Sequence, residues 1–293
     1  MSNLKSYQFV SMTTNCIIDI YDNAVSNIEE SFFEISKETR RLELKYNFYN
    51  ENSYLSKIIN NRDSNKIYLD EETSQILKTI RKLCEDTKGI FDISVGTINH
   101  CYKYKTIEEV STCVASLKSK MGLENWSIKN NLLEFKHKET KLDLGGVIKE
   151  YAVDASAEIL IKKNIKSAIV NFGGDLRVIG KKPDGNNFAV AIKNPKDKDK
   201  VLLVINLENQ ALTTSASYER KTIIENKEFS HICSTKDINN EIISSTVIGN
   251  SALACGVYST SFMIDSKVDI PQNLKILLVD NDLRIHQNII KGE

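Results

Sequence analysis

Two glycine-broken stretches carry residue types from which an anion-handling site can be built. The first is Leu142-Asp143-Leu144-Gly145-Gly146-Val147-Ile148-Lys149-Glu150-Tyr151-Ala152-Val153-Asp154. It begins as a short apolar strand with one acid in it, breaks at two glycines, and runs into a helix with Tyr151, Ala155 and Ile159 at helical spacing. A strand, a Gly-Gly turn and a helix start aim backbone N–H groups at a bound anion, and glycine lets the backbone approach a ligand closely. Lys149 adds a positive charge, and Asp143 and Asp154 add carboxylates. The second stretch, Ala168 to Leu176, is another apolar strand broken by Gly173-Gly174-Asp175. Two such turns flanking one helix form a stronger signal than either alone. Taken singly, each also fits a tight connection with surface charges.

The elements that must position these turns follow from periodicity. Residues 7–21 read as a strand pair or a bent strand, and residues 22–46 as a helix with Ala24, Ile28, Phe32 and Ile35 at three- and four-residue spacing. Asn47 to Asn60 is polar and punctuated. Asp70 is the N-cap of a helix running to Thr87, with Ile76, Ile80 and Leu83 on one face. Gly89 to Gly96 is a short apolar run with Asp92 inside it, and an acid there must be paired or cap a turn. Residues 106–121 read as helical. Residues 126–128 and 132–135 form a hairpin, and the helix after the first Gly-Gly turn ends near Lys163. The chain is then strand-rich: 189–192, 201–205, the hydroxyl-rich 211–220, a hairpin of 221–224 with 228–232, and 245–248. His231 lies at the end of that hairpin. Ser251 to Ile264 reads as a helix of small residues, and 275–279 closes as a strand.

The 39 basic and 39 acidic residues cancel, so no basic field argues for nucleic acid. No run of apolar residues is long enough to span a bilayer, and the start shows neither a secretory leader nor a hydrophobic lead into Cys16. The expected compartment is the cytoplasm. Six scattered cysteines form no C-x-x-C pair, so they are expected as buried free thiols of a reducing compartment.

Taken in order, these stretches resemble the ApbE family, the FAD:protein FMN transferases. The matching pieces are Met12-Thr13-Thr14, Ser53 to Asn60, Gly89 to Gly96, Asp143 to Asp154, Asn171 to Asp175, Thr214 to Arg220, His231, and Ser259-Thr260. They span nearly the whole chain in the family's order. The resemblance implies an enzyme that cuts FAD at its pyrophosphate and attaches FMN to a threonine or serine hydroxyl of an acceptor protein, using magnesium. Such chemistry needs charge on the phosphate oxygens neutralised and a base at the attacking hydroxyl. By position, the resemblance puts Met12, Ile90, Phe91 and Asp92 at the flavin nucleotide, with Tyr54 near it. It puts Lys149 and Glu150 at the phosphates, Ser215 and Ala216 beside the cofactor, the Ile148 carbonyl and Thr260 on the metal, and His231 as the base.

Several positions depart from the family pattern. Gly256 stands where the family has its metal-binding Asp, and Asp265 is the next acid along the chain. Glu150 and Ile148 stand where the family has Gly and Ala, Thr13 where it has Gly, and Ala216 where it has Gly. After His231, the family's Asp, Pro and Gly are absent from Ile232 to Ile238. The implied architecture is α+β: one ApbE-like domain over residues 1–293, with a mixed sheet core, flanking helices and two interleaved lobes holding the nucleotide. The implied function is Mg-dependent FMN transfer from FAD to a threonine of a partner flavoprotein. The degraded metal position keeps two alternatives open, a non-catalytic FAD-binding paralogue and an FAD pyrophosphate hydrolase. Oligomeric state is left open.

Overall fold

The computed structural model describes residues 4–22, 28–216, 221–225, 227–230 and 241–288. In chain order its elements are β1 (Lys5–Ser11), β2 (Thr14–Ile20), α1 (Ile28–Tyr46), β3 (Lys66–Tyr68), α2 (Glu71–Asp86), α3 (Ile107–Leu117), β4 (Trp126–Lys129), β5 (Leu132–Phe135) and α4 (Ile148–Lys162). There follow β6 (Ala168–Phe172), β7 (Asp175–Ile179), β8 (Phe188–Asn194), β9 (Asp197–Leu207), β10 (Ala211–Ala216), β11 (Lys221–Ile224), β12 (Lys227–Ser230), β13 (Ile242–Gly249), α5 (Ala252–Ile264), β14 (Lys275–Asp280) and β15 (Ile285–Gln287).

Eight strands form the central sheet in the order β1-β2-β6-β7-β10-β13-β14-β15. All seven neighbouring pairs are antiparallel, where the sequence reading expected a mixed sheet. The alternation of side chains gives the sheet two buried faces. Ala168, Val170, Phe172, Ala211 and Val247 join the main core with α1, α4 and α5. Leu176, Val178, Leu212 and Ile248 form a second core with Phe188, Ile192, Ile205 and Leu207 of the β8–β9 hairpin. Helix α5 is buried almost all round, with only Ala254 and Thr260 partly open, which explains its small, apolar composition. Among the described residues, no helix is long and apolar enough to cross a membrane.

Three local expectations change. The punctuated Asn47–Asn60 stretch contains a π-helix at Leu55–Asn60. The Gly89–Gly96 run is a 3-10 helix over Ile93–Thr97 with Asp92 as its cap. The thiol expectation fails for one pair: Cys101 and Cys113 are joined in a disulfide. Their spacing matches no metal or redox motif, and the pair meets only because the short helix Asn99–Lys103 packs against α3. Cys16, Cys84 and Cys255 are buried free thiols, as expected. Burial pushes the Cys16 thiol up to about 11 and holds Cys255 higher still, so neither is reactive.

One contact fixes where the first Gly-Gly turn sits. The Asn60 side chain donates to the Leu142 carbonyl at 2.8 Å and accepts from the Leu142 N–H at 2.9 Å, as a neighbouring strand would. Asp143 N–H donates to the Ile93 carbonyl at 2.8 Å. Gly96 makes this approach possible, because a Cβ there would lie 2.9 Å from both the Asp143 nitrogen and the Leu142 carbonyl carbon. Backbone on both sides cannot yield as a side chain can. Gly96→Ala is therefore expected to cost about 1–3 kcal/mol, read as a lowered midpoint in urea unfolding.

Candidate active site

Four segments far apart in sequence converge at the start of α4. The first Gly-Gly turn leads into it, with Gly145 and Gly146 exposed. The Asp143 carboxylate accepts from Gly145 N–H at 2.8 Å and from the Asn99 side chain at 2.5 Å. Burial holds this carboxyl above the ordinary value against both donors. Asp143 thus shapes the turn rather than reaching out of it. No side chain caps α4 at Val147; the Leu144 carbonyl accepts from the Val147 and Ile148 N–H groups at 3.0 and 2.8 Å, and the positive end of the helix lies beside the exposed glycines.

The second Gly-Gly turn is held by Asn171, whose side-chain oxygen accepts from Gly174 N–H at 2.8 Å. Gly173 has φ 65, and a Cβ there would fall 2.2 Å from the Thr14 hydroxyl oxygen. The tip of the β1–β2 hairpin therefore lies against this turn. The tip itself, Met12 and Thr13, is in the left-handed region at φ 50 and 58, which is strained for the β-branched Thr13. Asp175, the first residue of β7, is buried and ion-paired to Lys149; one of its oxygens accepts from Thr214 N–H at 3.3 Å. Lys149 also meets one carboxylate oxygen of Glu150 at 3.2 Å.

Behind the turns, β10 meets α5 in a cluster of hydroxyls. The Ser215 hydroxyl lies 2.8 Å from that of Ser259 and 3.3 Å from that of Thr260. Gly256 occupies the next turn of α5, and Ser259 donates to its carbonyl at 3.1 Å. Helix α5 is locked to α4 by Asp154. Its carboxylate accepts from Ala252 N–H at 2.9 Å, Leu253 N–H at 3.0 Å and the Ser251 hydroxyl at 2.8 Å, and it meets Arg177 at 3.3 Å.

A sequence profile of the ApbE family matches residues 12–277. The chain belongs to the ApbE family. Among curated proteins, it is 26% identical over 229 residues to the FAD:protein FMN transferase of Vibrio cholerae, covering 74% of this chain and 67% of that protein. It is 24% identical over 229 residues to the Escherichia coli K12 enzyme of the same name, covering 74% and 65%. The alignments thus span about two thirds of these relatives' length. Among solved structures, the ApbE protein of Thermotoga maritima superposes with a TM-score of 0.85 at 23% identity, covering 97% of each chain. The flavin transferase ApbE of Vibrio cholerae gives 0.82 at 21% identity, covering 98% of this chain and 97% of that one. The α+β architecture expected from the sequence is that of the ApbE fold.

Within this ApbE frame, Ile148, Lys149, Glu150, Ser215 and Thr260 lie on the converging elements, with the Met12 hairpin tip beside the second turn. Phe91 is buried, with ring atoms 3.8 Å from where a Cβ of Gly146 would stand. Ile90 is a core residue, and Ala216 is buried at the end of β10. Asp92 is buried, and its carboxylate accepts from Ser94 N–H at 2.9 Å and the Ser94 hydroxyl at 2.7 Å. Burial still holds that carboxyl above its usual value. Its observed work is to cap a turn. Tyr54 contacts a different part of the chain: its ring lies under Lys45 and its hydroxyl accepts from Asp70 N–H at 3.4 Å. His231 lies outside the described residues, as do Tyr218, Arg220, Cys233 and Ser234. The sequence reading gave no role to Asp175, Ser259 and Asn60, although they lie in the stretches that match the family, and did not single out Asn99. Asp175 had a signal in its place directly after Gly-Gly, whereas an asparagine that braces a distant backbone has none.

The Asp154 cap carries a measurable share of stability. Asp154→Ala leaves the buried start of α5 without its acceptor and is expected to cost about 2 kcal/mol. Asp154→Asn, which keeps an acceptor, recovers part of that loss in the same urea titration.

Proposed function

We propose that this chain is an FAD:protein FMN transferase acting on a threonine hydroxyl of a partner flavoprotein. The observation that carries the reading is the exposed Gly145-Gly146 turn leading into the N-terminus of α4, which no side chain caps, with Lys149 in its first turn and Phe91 packed by Gly146. This is a place for a pyrophosphate with an apolar wall next to it. By the family resemblance, Ile90 and Met12 would stand at the flavin nucleotide and Ser215 and Ala216 beside it on β10.

In the reaction, the acceptor oxygen attacks the phosphorus of the FMN half of FAD. The new P–O bond joins FMN to the acceptor, the bond to AMP breaks, and AMP leaves with the electron pair. The hydroxyl proton passes to a base, the role the family resemblance gives to His231. Lys149, positioned by Asp175, would offer an N–H donor to phosphate oxygens as negative charge grows on them, the net charge of Lys149, Asp175 and Glu150 being left to a bound cation. The α4 N-terminus adds its partial charge at no cost of reorganisation.

Magnesium fits the residues present. It prefers oxygen donors and takes few of them from protein. The site offers hydroxyls at Ser215, Ser259 and Thr260, and one buried carboxylate oxygen of Glu150 has no partner. The Ile148 carbonyl and the Thr260 hydroxyl would hold the ion, which when bound would neutralise charge on the pyrophosphate.

The test mixes purified protein, FAD, Mg2+ and a flavoprotein domain carrying an acceptor threonine, and follows covalent flavin fluorescence on a denaturing gel together with AMP release. Both products are expected, with His231→Ala lowering the rate about 10²–10⁴-fold. AMP without labelled acceptor would instead establish a hydrolase. Tight FAD binding with neither product would establish a non-catalytic paralogue.

The cytoplasmic compartment belongs to the same reading. The Cys101–Cys113 disulfide stands against it, because such bonds persist in oxidising compartments, and alkylation of thiols at cell lysis decides: labelling of that pair would place the chain in the cytoplasm, and its protection in an oxidising compartment.

A further inference from the structure

Glu150 and Gly256 are one feature seen from two helices. A Cβ built on Gly256 would lie 2.7 Å from Cγ of Glu150, 3.3 Å from its Cδ and 3.5 Å from its Cβ. A side chain at position 256 and the side chain of Glu150 therefore claim the same space. Glu150 is 6% exposed, and one of its oxygens meets Lys149 while the other, Oε2, has no hydrogen-bond partner. Lys149 cannot compensate both acids beside it, because it is also ion-paired to the buried Asp175. Two carboxylates and one ammonium leave a surplus negative charge in a place shielded from water. A buried anion with an unpartnered oxygen calls for a cation. Asp265 cannot supply the acid instead: it caps the far end of α5, where its carboxylate accepts from Lys267 N–H at 2.9 Å.

We propose that Glu150 is a carboxylate ligand of a divalent cation in this chain, delivered from α4 into the space that an acid on α5 at position 256 would use. Glycine at 256 is then the condition for Glu150 to reach that space, and the two positions form an exchanged pair. The inference deepens the flavin-transfer reading and rests on it for the identity of the ion. Thr260, one helical turn beyond Gly256, lies on the same side of α5 and is joined through Ser215 to Ser259. The oxygen set is that of a hard cation such as Mg2+ or Mn2+.

The probe is Mn2+, titrated onto the full chain without acceptor, both alone and saturated with FAD, and followed by water-proton relaxation enhancement. Circular dichroism melts confirm that each variant is folded. Wild type is expected to bind one ion. Glu150→Gln keeps the shape and weakens binding by at least about tenfold, the signature of a lost charged ligand. Gly256→Asp alone brings no gain, because the added side chain collides with Glu150. Glu150→Gly combined with Gly256→Asp returns the acid from the other helix and restores binding to within a few-fold of wild type. Wild-type affinity in Glu150→Gln, absence of Mn2+ binding in the wild type, or a folded double variant that stays metal-free would each overturn the inference. The two readings fail separately. Transfer activity with metal binding indifferent to Glu150 removes this inference alone, while the expected Mn2+ pattern without any FMN transfer removes the transferase reading alone.

Discussion

The arrangement depends most on a single carboxylate. Asp154, in the middle of α4, caps the N-terminus of α5 with both oxygens and meets Arg177 on β7. The start of a buried helix presents N–H groups that water cannot reach, and leaving them bare costs more than most surface contacts gain. Asp154 supplies the acceptors and so fixes two helices and a strand against one another. The consequence lies one turn away. Four residues back along α4 is Glu150, and four residues on from Ala252 along α5 is Gly256, and these two positions meet. A cap that reads as local is what sets the register of the site.

The same economy runs through the glycine turns. Acids and amides near them are mostly spent on backbone: Asp143 on Gly145, Asn171 on Gly174, Asp92 on Ser94, Asn60 on Leu142. Each such bond removes a degree of freedom from a loop that a ligand would otherwise have to order. Few charged groups remain uncommitted to backbone. Lys149 and Glu150 are two of them, joined at the mouth of α4 to Asp175, which also accepts from Thr214 N–H; Ser215, Ser259 and Thr260 form a separate cluster of hydroxyls. The division is between residues that hold the turns and residues left to meet a ligand.

This division changes what the departures from the family pattern mean. By sequence alone, glycine at 256 is a missing acid and glutamate at 150 an unrelated substitution in a helix. In three dimensions a side chain at 256 would meet Glu150 in one space, so under the proposal above the two departures belong together. Thr13, where the resemblance implies glycine, is a departure of another kind. It keeps the left-handed backbone of the hairpin tip at a steric cost, which indicates that the turn's shape matters more than the residue's comfort.

The periodicity of apolar residues and the placement of glycines determined most elements, since burial of one face and positive φ leave local signatures. The helices 28–46, 71–86 and 148–162 and the hairpins around residues 12–13 and 130–131 were legible this way. So was the family, because its short motifs keep their order along the chain. The antiparallel course of the whole sheet was not legible, because strand pairing is fixed by connections rather than by any strand's own composition. Nor was the Cys101–Cys113 disulfide, whose partners are brought together by the packing of two helical segments. Asp92 and Tyr54 carried the right residue types for a ligand site, yet hydrogen bonds to Ser94 and Asp70 decided where they point. What a carboxylate does depends on the atoms within three ångströms of it, and for Asp154 those atoms come from a helix about a hundred residues farther along the chain.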